Sequence, residues 1–219
     1  MTNDYFADAK KRLEQQIPPH DTTQFTEMRN KIRAALEKQE NEYLLTVRSL
    51  KTLVLGDWNT DEKKQLLYRL RNLLLKNGLY AETIAGYYEM NKKGGLTQEQ
   101  IFGTCCARHQ LIVFIDGTGT GTVTEQNYLN TYYIFQGKVI FFIKEEKFDK
   151  LKDNPSEYIK NFPTIITYKN GDLPEKILIY SRLRIYRLAE IIQRQAAIGK
   201  GLKNPKYETW EKRVKNLKQ

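Results

Sequence analysis

Three groups of residues in this 219-residue chain have types and spacings that chemistry could use. Cys105, Cys106 and His109 bring two thiols and an imidazole within five positions. Adjacent cysteines close only a strained ring, and zinc asks for about four ligands, so the pair reads as two reduced thiols at a helix end and no metal site is expected. The other histidine, His20, lies in a Pro-rich turn. The second group is the run from Asp116 to Thr122, in which Gly117, Gly119 and Gly121 leave an apolar stretch and approach a helix. Backbone N–H groups in such a loop can cradle a phosphate, although no Lys-Ser/Thr pair follows to complete the usual nucleotide pattern. His109 has no serine or cysteine nucleophile on a strained elbow beside it. The third group is basic. Arg182, Arg184, Arg187 and Arg194 interleave with Tyr180 and Tyr186, and a strip of this kind can hold phosphate backbones or stacked bases.

Charge is distributed unevenly. The chain carries a formal +10, but residues 1–103 account for +2, residues 104–199 for +3 and the last 20 residues for +5. In that tail Tyr207, Trp210, Val214 and Leu217 recur every three or four residues, with Arg213 among the lysines around them, as in a short amphipathic helix. Its stripe docks on its own protein, inserts into a partner's groove, or lies against a polyanion such as nucleic acid. A hydrophobic content of 40% argues against wholesale disorder, and no apolar run approaches the length of a membrane span. The acidic N-terminus fits neither a secretory signal nor a transit peptide, which points to an intracellular, cytoplasmic protein.

The elements that must position these groups change character along the chain. Residues 4–17 read as a helix stopped by Pro18-Pro19. A second helix follows from Asp21 to Gly56, with Phe25, Met28, Ile32, Leu36, Tyr43, Val47, Leu50 and Val54 on one face. A third runs from Asn59 to Asn77-Gly78 and a fourth over about 79–91. The first 95 residues are therefore expected to be a helical domain. Residues 67–88 resemble one tetratricopeptide unit without a second copy. From residue 96 the pattern becomes α/β. Thr97 and Gln100 form a capping box, 111–115 is a buried strand, 125–135 a helix, and 138–143 a strand. A mostly helical stretch over 147–162 leads to a strand at 164–168, a Lys169–Asp172 hairpin returning through 176–180, and a last helix holding Leu183 to Ile192.

The run Phe162-Pro163-Thr164, the apolar strand after it and the Lys169-Asn170-Gly171 turn resemble the closing half of a thioredoxin fold, and residues 97–195 can be laid on that fold. The resemblance implies a cis peptide at Pro163. It also places the family's two redox cysteines near Gly119 and Thr122, neither of which can form a thiolate, so the domain is expected to be redox-inactive. Ile115-Asp116-Gly117-Thr118 also resembles part of the haloacid dehalogenase signature, but Phe114 stands where the nucleophilic aspartate is required.

A thioredoxin-like domain lacking its redox cysteines behind a helical domain is similar in plan to the phosducin-like proteins, which are cytosolic non-enzymes that bind other proteins. The expected architecture is a helical domain over 1–95, a thioredoxin-like α/β domain over 96–199, and a basic tail over 200–219. The expected function is non-catalytic: protein binding as a chaperone or assembly cofactor, without a cofactor of its own. The alternatives are nucleic-acid binding through Tyr207–Leu217 and Arg182–Arg194, and a phosphate or nucleotide site at Gly117–Thr122.

Overall fold

Continuous apolar runs such as Leu53-Val54-Leu55, Leu111–Ile115 and Val139–Ile143 have no polar face to turn toward water, so each must be covered on both sides. In the computed structural model, which describes residues 22–91, 95–151 and 161–197, they form the centre of one parallel sheet. Its strands are β1 (Lys51–Leu55), β2 (Tyr80–Thr83), β3 (Leu111–Ile115), β4 (Val139–Lys144) and β5 (Ile165–Tyr168), in the order β2-β1-β3-β4-β5. All four pairings are parallel. The helices are α1 (Thr23–Ser49), α2 (Asp61–Lys76), α3 (Ile84–Asn91), α4 (Gln98–Arg108), α5 (Thr120–Thr131), α6 (Tyr133–Gln136), α7 (Glu145–Leu151) and α8 (Leu173–Ala197).

The sheet's core is aromatic and aliphatic. Phe141 stacks on Phe114 and on Phe162, with ring centres 5.4 and 5.2 Å apart. On α2 the first turn is capped by the Thr60 side chain and bears Asp61 and Glu62, which suit the positive end of the helix. Gly78 follows its C-terminus at φ 78°, a left-handed conformation that glycine adopts without penalty. The chain divides after Leu45 into two units. In the first, α1 leaves Met28, Ile32 and Leu36 exposed; in the second, Val47 and Leu50 are buried.

The architecture is thus helical at its N-terminus and α/β beyond, as expected at that coarse level. Several finer expectations are corrected. Leu50–Val54 continues the apolar face of α1 in sequence, yet the helix stops at Ser49 and β1 begins at Lys51. Residues 80–83 are a strand, so the fourth helix starts only at Ile84. The region before residue 96 is therefore not wholly helical, and the sheet crosses the expected boundary at 95/96. Apolar residues four apart are compatible with a helix stripe, but Thr52-Leu53-Val54-Leu55 is buried on both faces, which only a central strand satisfies. The capping box at Thr97 and Gln100 and the strand at 111–115 form as read from the sequence.

The expected hairpin does not form. Gly171 makes the turn at φ 98°, but the next residues start α8. The Asp172 carboxylate accepts from Lys169 N–H at 2.8 Å, and the Asp172 carbonyl accepts from Lys176 N–H at 3.0 Å. Pro174 falls in the first turn, where a missing N–H costs nothing, whereas in a strand it would break the ladder. The final strand of the thioredoxin pattern is absent, and the Phe162–Pro163 bond is trans. β5 arrives parallel to β4 through a crossover, so no tight cis turn is needed to enter it.

A substitution pair separates the two conformations of residues 176–180. In a strand, Ile177 and Ile179 share one face; on α8 Ile177 is fully buried and Ile179 is exposed. Ile177→Ala is expected to cost about 2–5 kcal/mol in urea unfolding, and Ile179→Ala about 0.5 kcal/mol or less.

Candidate functional site

In a parallel sheet with helices on both faces, the loops leaving the carboxyl ends of neighbouring strands part where the strand order reverses, and ligands settle in the crevice that opens there. Here the reversal lies between β1 and β3. The loop after β1 carries Gly56, Asp57, Trp58 and Asn59; the loop after β3 carries Asp116 and the Gly/Thr run into α5.

One carboxylate ties the two loops together. Asp57 accepts from the Asn59 N–H at 2.9 Å, from Thr118 N–H at 3.3 Å and from Gly119 N–H at 3.2 Å, and Lys63 Nζ approaches it at 2.6 Å. Burial pushes this carboxyl's pKa up, but Lys63 and the backbone donors outweigh it and hold the group below the usual aspartate value. The approach is close enough to require glycine. A side chain at Gly117 would meet Asp57 Cβ at 2.7 Å, and one at Gly119 would collide with Asn59 and Asp57.

This corrects the reading of Gly117, Gly119 and Gly121 as a phosphate cradle. Two of the loop's amides are already occupied by an internal anion, and the glycines serve the approach of Asp57. Gly121 differs, since nothing lies within 4 Å of the position its Cβ would take.

Beyond that tie lies a groove with two lobes. One, of about 590 Å³, is walled by Tyr88, Phe102, Tyr128 and Tyr132. The other, of about 350 Å³, is bounded by Trp58, Asn59, Ile84 and Ala85. The lobes share Tyr88, Gln98, Gly121 and Glu125. Helix α5 sets Glu125 at the junction, one turn past its glycine N-cap.

Glu125 is the least satisfied group in the site. Its Oε2 is sealed from solvent with no hydrogen-bond partner. Desolvation, with no cation or donor among the described residues to offset it, pushes the carboxyl up to about 8. The groove's own groups therefore hold Glu125 as a neutral acid at pH 7. The indole N–H of Trp58 is also buried without a partner. Tyr88 and Tyr128 are both pushed up to about 12, chiefly by burial, and stay neutral.

A second crevice, of about 380 Å³, contains Lys63, Asp116, Lys144, Lys147 and Tyr168 and shares no lining residue with the groove. Lys147 pairs with Asp116 at 2.6 Å. Two of its three lysines are thus already matched by the aspartates at the strand ends.

No family model and no curated protein matches this chain, so the geometry of the site carries the functional reading.

The other residues singled out in the sequence lie elsewhere. Cys105 and Cys106 are buried and unpaired at the end of α4. Burial drives both thiols far above the range of a reactive thiolate. His109 donates through Nδ1 to the Cys105 carbonyl at 2.7 Å, which leaves Nε2 facing Glu82 Oε2 at 3.1 Å. A proton must bridge that contact, and Tyr80 and Tyr87 also donate to Glu82, so this cluster anchors β2 to α3 and α4.

The arginine strip is partly spent inside the protein. Arg182 donates to Asn77 Oδ1 at 2.9 Å and Arg184 to the Gly137 carbonyl at 2.6 Å, while Arg187 is exposed. Tyr207, Trp210, Arg213, Val214 and Leu217 lie outside the described residues.

Sequence reasoning missed Asp57, Trp58 and Glu125. The available signal was an acid two residues past a buried strand, and a glutamate one turn into a helix that follows a glycine loop. Neither stands out until β1 is recognised as a strand.

The raised Glu125 pKa has a stability consequence with a definite sign. Its folded value lies above the unfolded one, so the native state holds an extra proton between about pH 4.5 and 8. Stability contributed by the neutral acid is full below that window and is lost as pH rises through it. Glu125→Gln is expected to flatten the urea midpoint between pH 5 and 8, removing a loss on the order of a few kcal/mol. A carboxyl-carbon NMR titration should find the wild-type group with a midpoint near 8.

Proposed function

We propose that this chain binds a small organic molecule in the groove at the carboxyl end of its parallel sheet, against Glu125. One observation carries the reading: a carboxyl with a sealed, unpartnered oxygen stands where two lobes of a groove of aromatic, threonine and amide side chains meet. Leaving a buried acceptor unsatisfied costs about 1–3 kcal/mol, and a bound molecule that turns the carboxyl toward the groove and supplies the missing partner recovers it. Position adds support for the smaller lobe, which borders the β1 loop at Trp58 and Asn59, beside the crevice where doubly wound sheets hold their ligands. A carboxyl that titrates near neutrality can also exchange a proton with what it binds.

The test fills the groove. Thr124 lines the larger lobe and is exposed, so Thr124→Trp obstructs that lobe without entering the core. Ligand-observed NMR with a set of aromatic fragments should detect binders to the wild type that are lost in Thr124→Trp while the melting temperature stays within a few degrees. Fragments that bind both forms equally would sink the reading.

Protein binding, the role implied by the thioredoxin-like and phosducin-like resemblances, is the second reading. It draws support from α8, which leaves Ile179, Leu183, Tyr186 and Ile191 exposed. Under this reading Leu183→Glu lowers the recovery of co-purifying proteins from lysate several-fold and leaves the melting temperature unchanged. Equal recovery counts against it.

A further inference from the structure

The chain carries 36 lysines and arginines against 26 acids, yet among the described residues neither lobe of the groove is lined by a single lysine or arginine. The acidic residues that line it are Glu89 and Glu99, both exposed, and Glu125 at the junction. Five aromatic residues, Trp58, Tyr88, Phe102, Tyr128 and Tyr132, share the remaining walls with uncharged threonines and amides. Phe102 and Tyr128 meet edge to face at 5.3 Å and 88°, and Tyr128 and Tyr132 are tilted by 45° at 4.5 Å. Rings inclined in this way present faces in several directions instead of one flat slot. The face of an aromatic ring carries negative potential, so inclined rings beside carboxyls attract a compact cation and repel an anion.

We propose that the groove is selective for an organic cation, a protonated amine or quaternary ammonium on an apolar body, whose charge is met by Glu125 and the surrounding rings. The inference rests on the groove being a ligand site and adds the charge of what occupies it. A phosphorylated ligand is disfavoured here by the same groups. The second crevice, with its lysines, is where an anion would find opposite charge.

Binding is then coupled to proton release. Burial holds the Glu125 carboxyl protonated, and a cation beside it favours the carboxylate, so the exchange is acid plus ligand cation giving an ion pair and one proton in solvent. Among the described residues, the other titratable groups around Glu125 are Tyr88 and Glu89 on α3, Glu99, Cys105 and Cys106 on α4, Tyr128 on its own helix and Tyr132 just after it. Tyr88, Tyr128 and both thiols are held neutral by burial. Affinity for the cation therefore rises with pH up to about 8 and levels off above it.

Three probes with closely similar skeletons and different charges decide the matter: 2-phenylethylammonium, 2-phenylethanol and phenylacetate. Titration calorimetry on the full chain at pH 6, 7 and 8, in two buffers of different ionisation enthalpy, reads affinity and proton release together. The ammonium is expected to bind about tenfold more tightly than the alcohol at pH 8, with phenylacetate weakest. Close to one proton should be released per ammonium bound at pH 7. Glu125→Gln should abolish that release and bring the ammonium and alcohol affinities together. If the alcohol or phenylacetate binds wild type as tightly as the ammonium, or if no proton is released, the cation inference fails while the groove remains a ligand site. If none of the three binds, both readings fail.

Discussion

The tie between Asp57 and the Gly/Thr loop is the constraint on which the functional half of the structure depends. Parallel strands whose following connections turn to opposite sides leave a gap at their carboxyl ends, and a gap between two loops has no shape unless something holds its sides. Asp57 does so with two backbone N–H bonds across the gap and one within its own loop, and Lys63 balances the charge. The helix that follows the fixed loop inherits its position. Glu125, one turn into α5, is thereby held at the junction of the two lobes without a hydrogen bond to its sealed oxygen.

The two crevices at the strand ends are opposites in chemistry. In the lysine-lined one, Asp57 and Asp116 each sit 2.6 Å from a lysine, so a partner outweighs burial at Asp57 and offsets part of it at Asp116. In the groove, Glu125 is left with desolvation alone and keeps its proton. These two structural carboxylates are matched internally, and the unmatched one lies where a ligand can reach. The His109–Glu82 cluster follows the first pattern: its polar atoms satisfy one another and link β2 to the helices behind it.

Much of the second half of the fold was legible in the residues. Leu111–Ile115 has one reading, because a strand-length run of large apolar residues fits only the middle of a covered sheet. The capping box at Thr97 is equally local, since both of its bonds lie within four residues. Expectation and structure part where local signals are ambiguous. Leu50 and Val54 continue a helical stripe in register, and only the pairing of residues 51–55 with β2 and β3 makes that segment a strand. Asn170-Gly171 forms a turn as its sequence demands, but a turn does not choose between a strand and a helix for the residues after it. Pro174 and the Asp172 cap turned the chain into a helix.

The sequence by itself determined the buried strands, the helix caps, the charge distribution and the lack of a thiolate in the Gly/Thr loop, because each depends on residue type and near neighbours. Only the tertiary structure decided the parallel strand order, the occupation of the loop's amides by Asp57, and the isolation of Glu125. These depend on contacts between segments some 60 residues apart, such as Asp57 with Gly119, and on a groove assembled from α3, α4, α5 and the β1 loop with no cation among its described lining residues. A glutamate's proton affinity is set by what surrounds it in space, and for Glu125 that surrounding exists only after the sheet has formed.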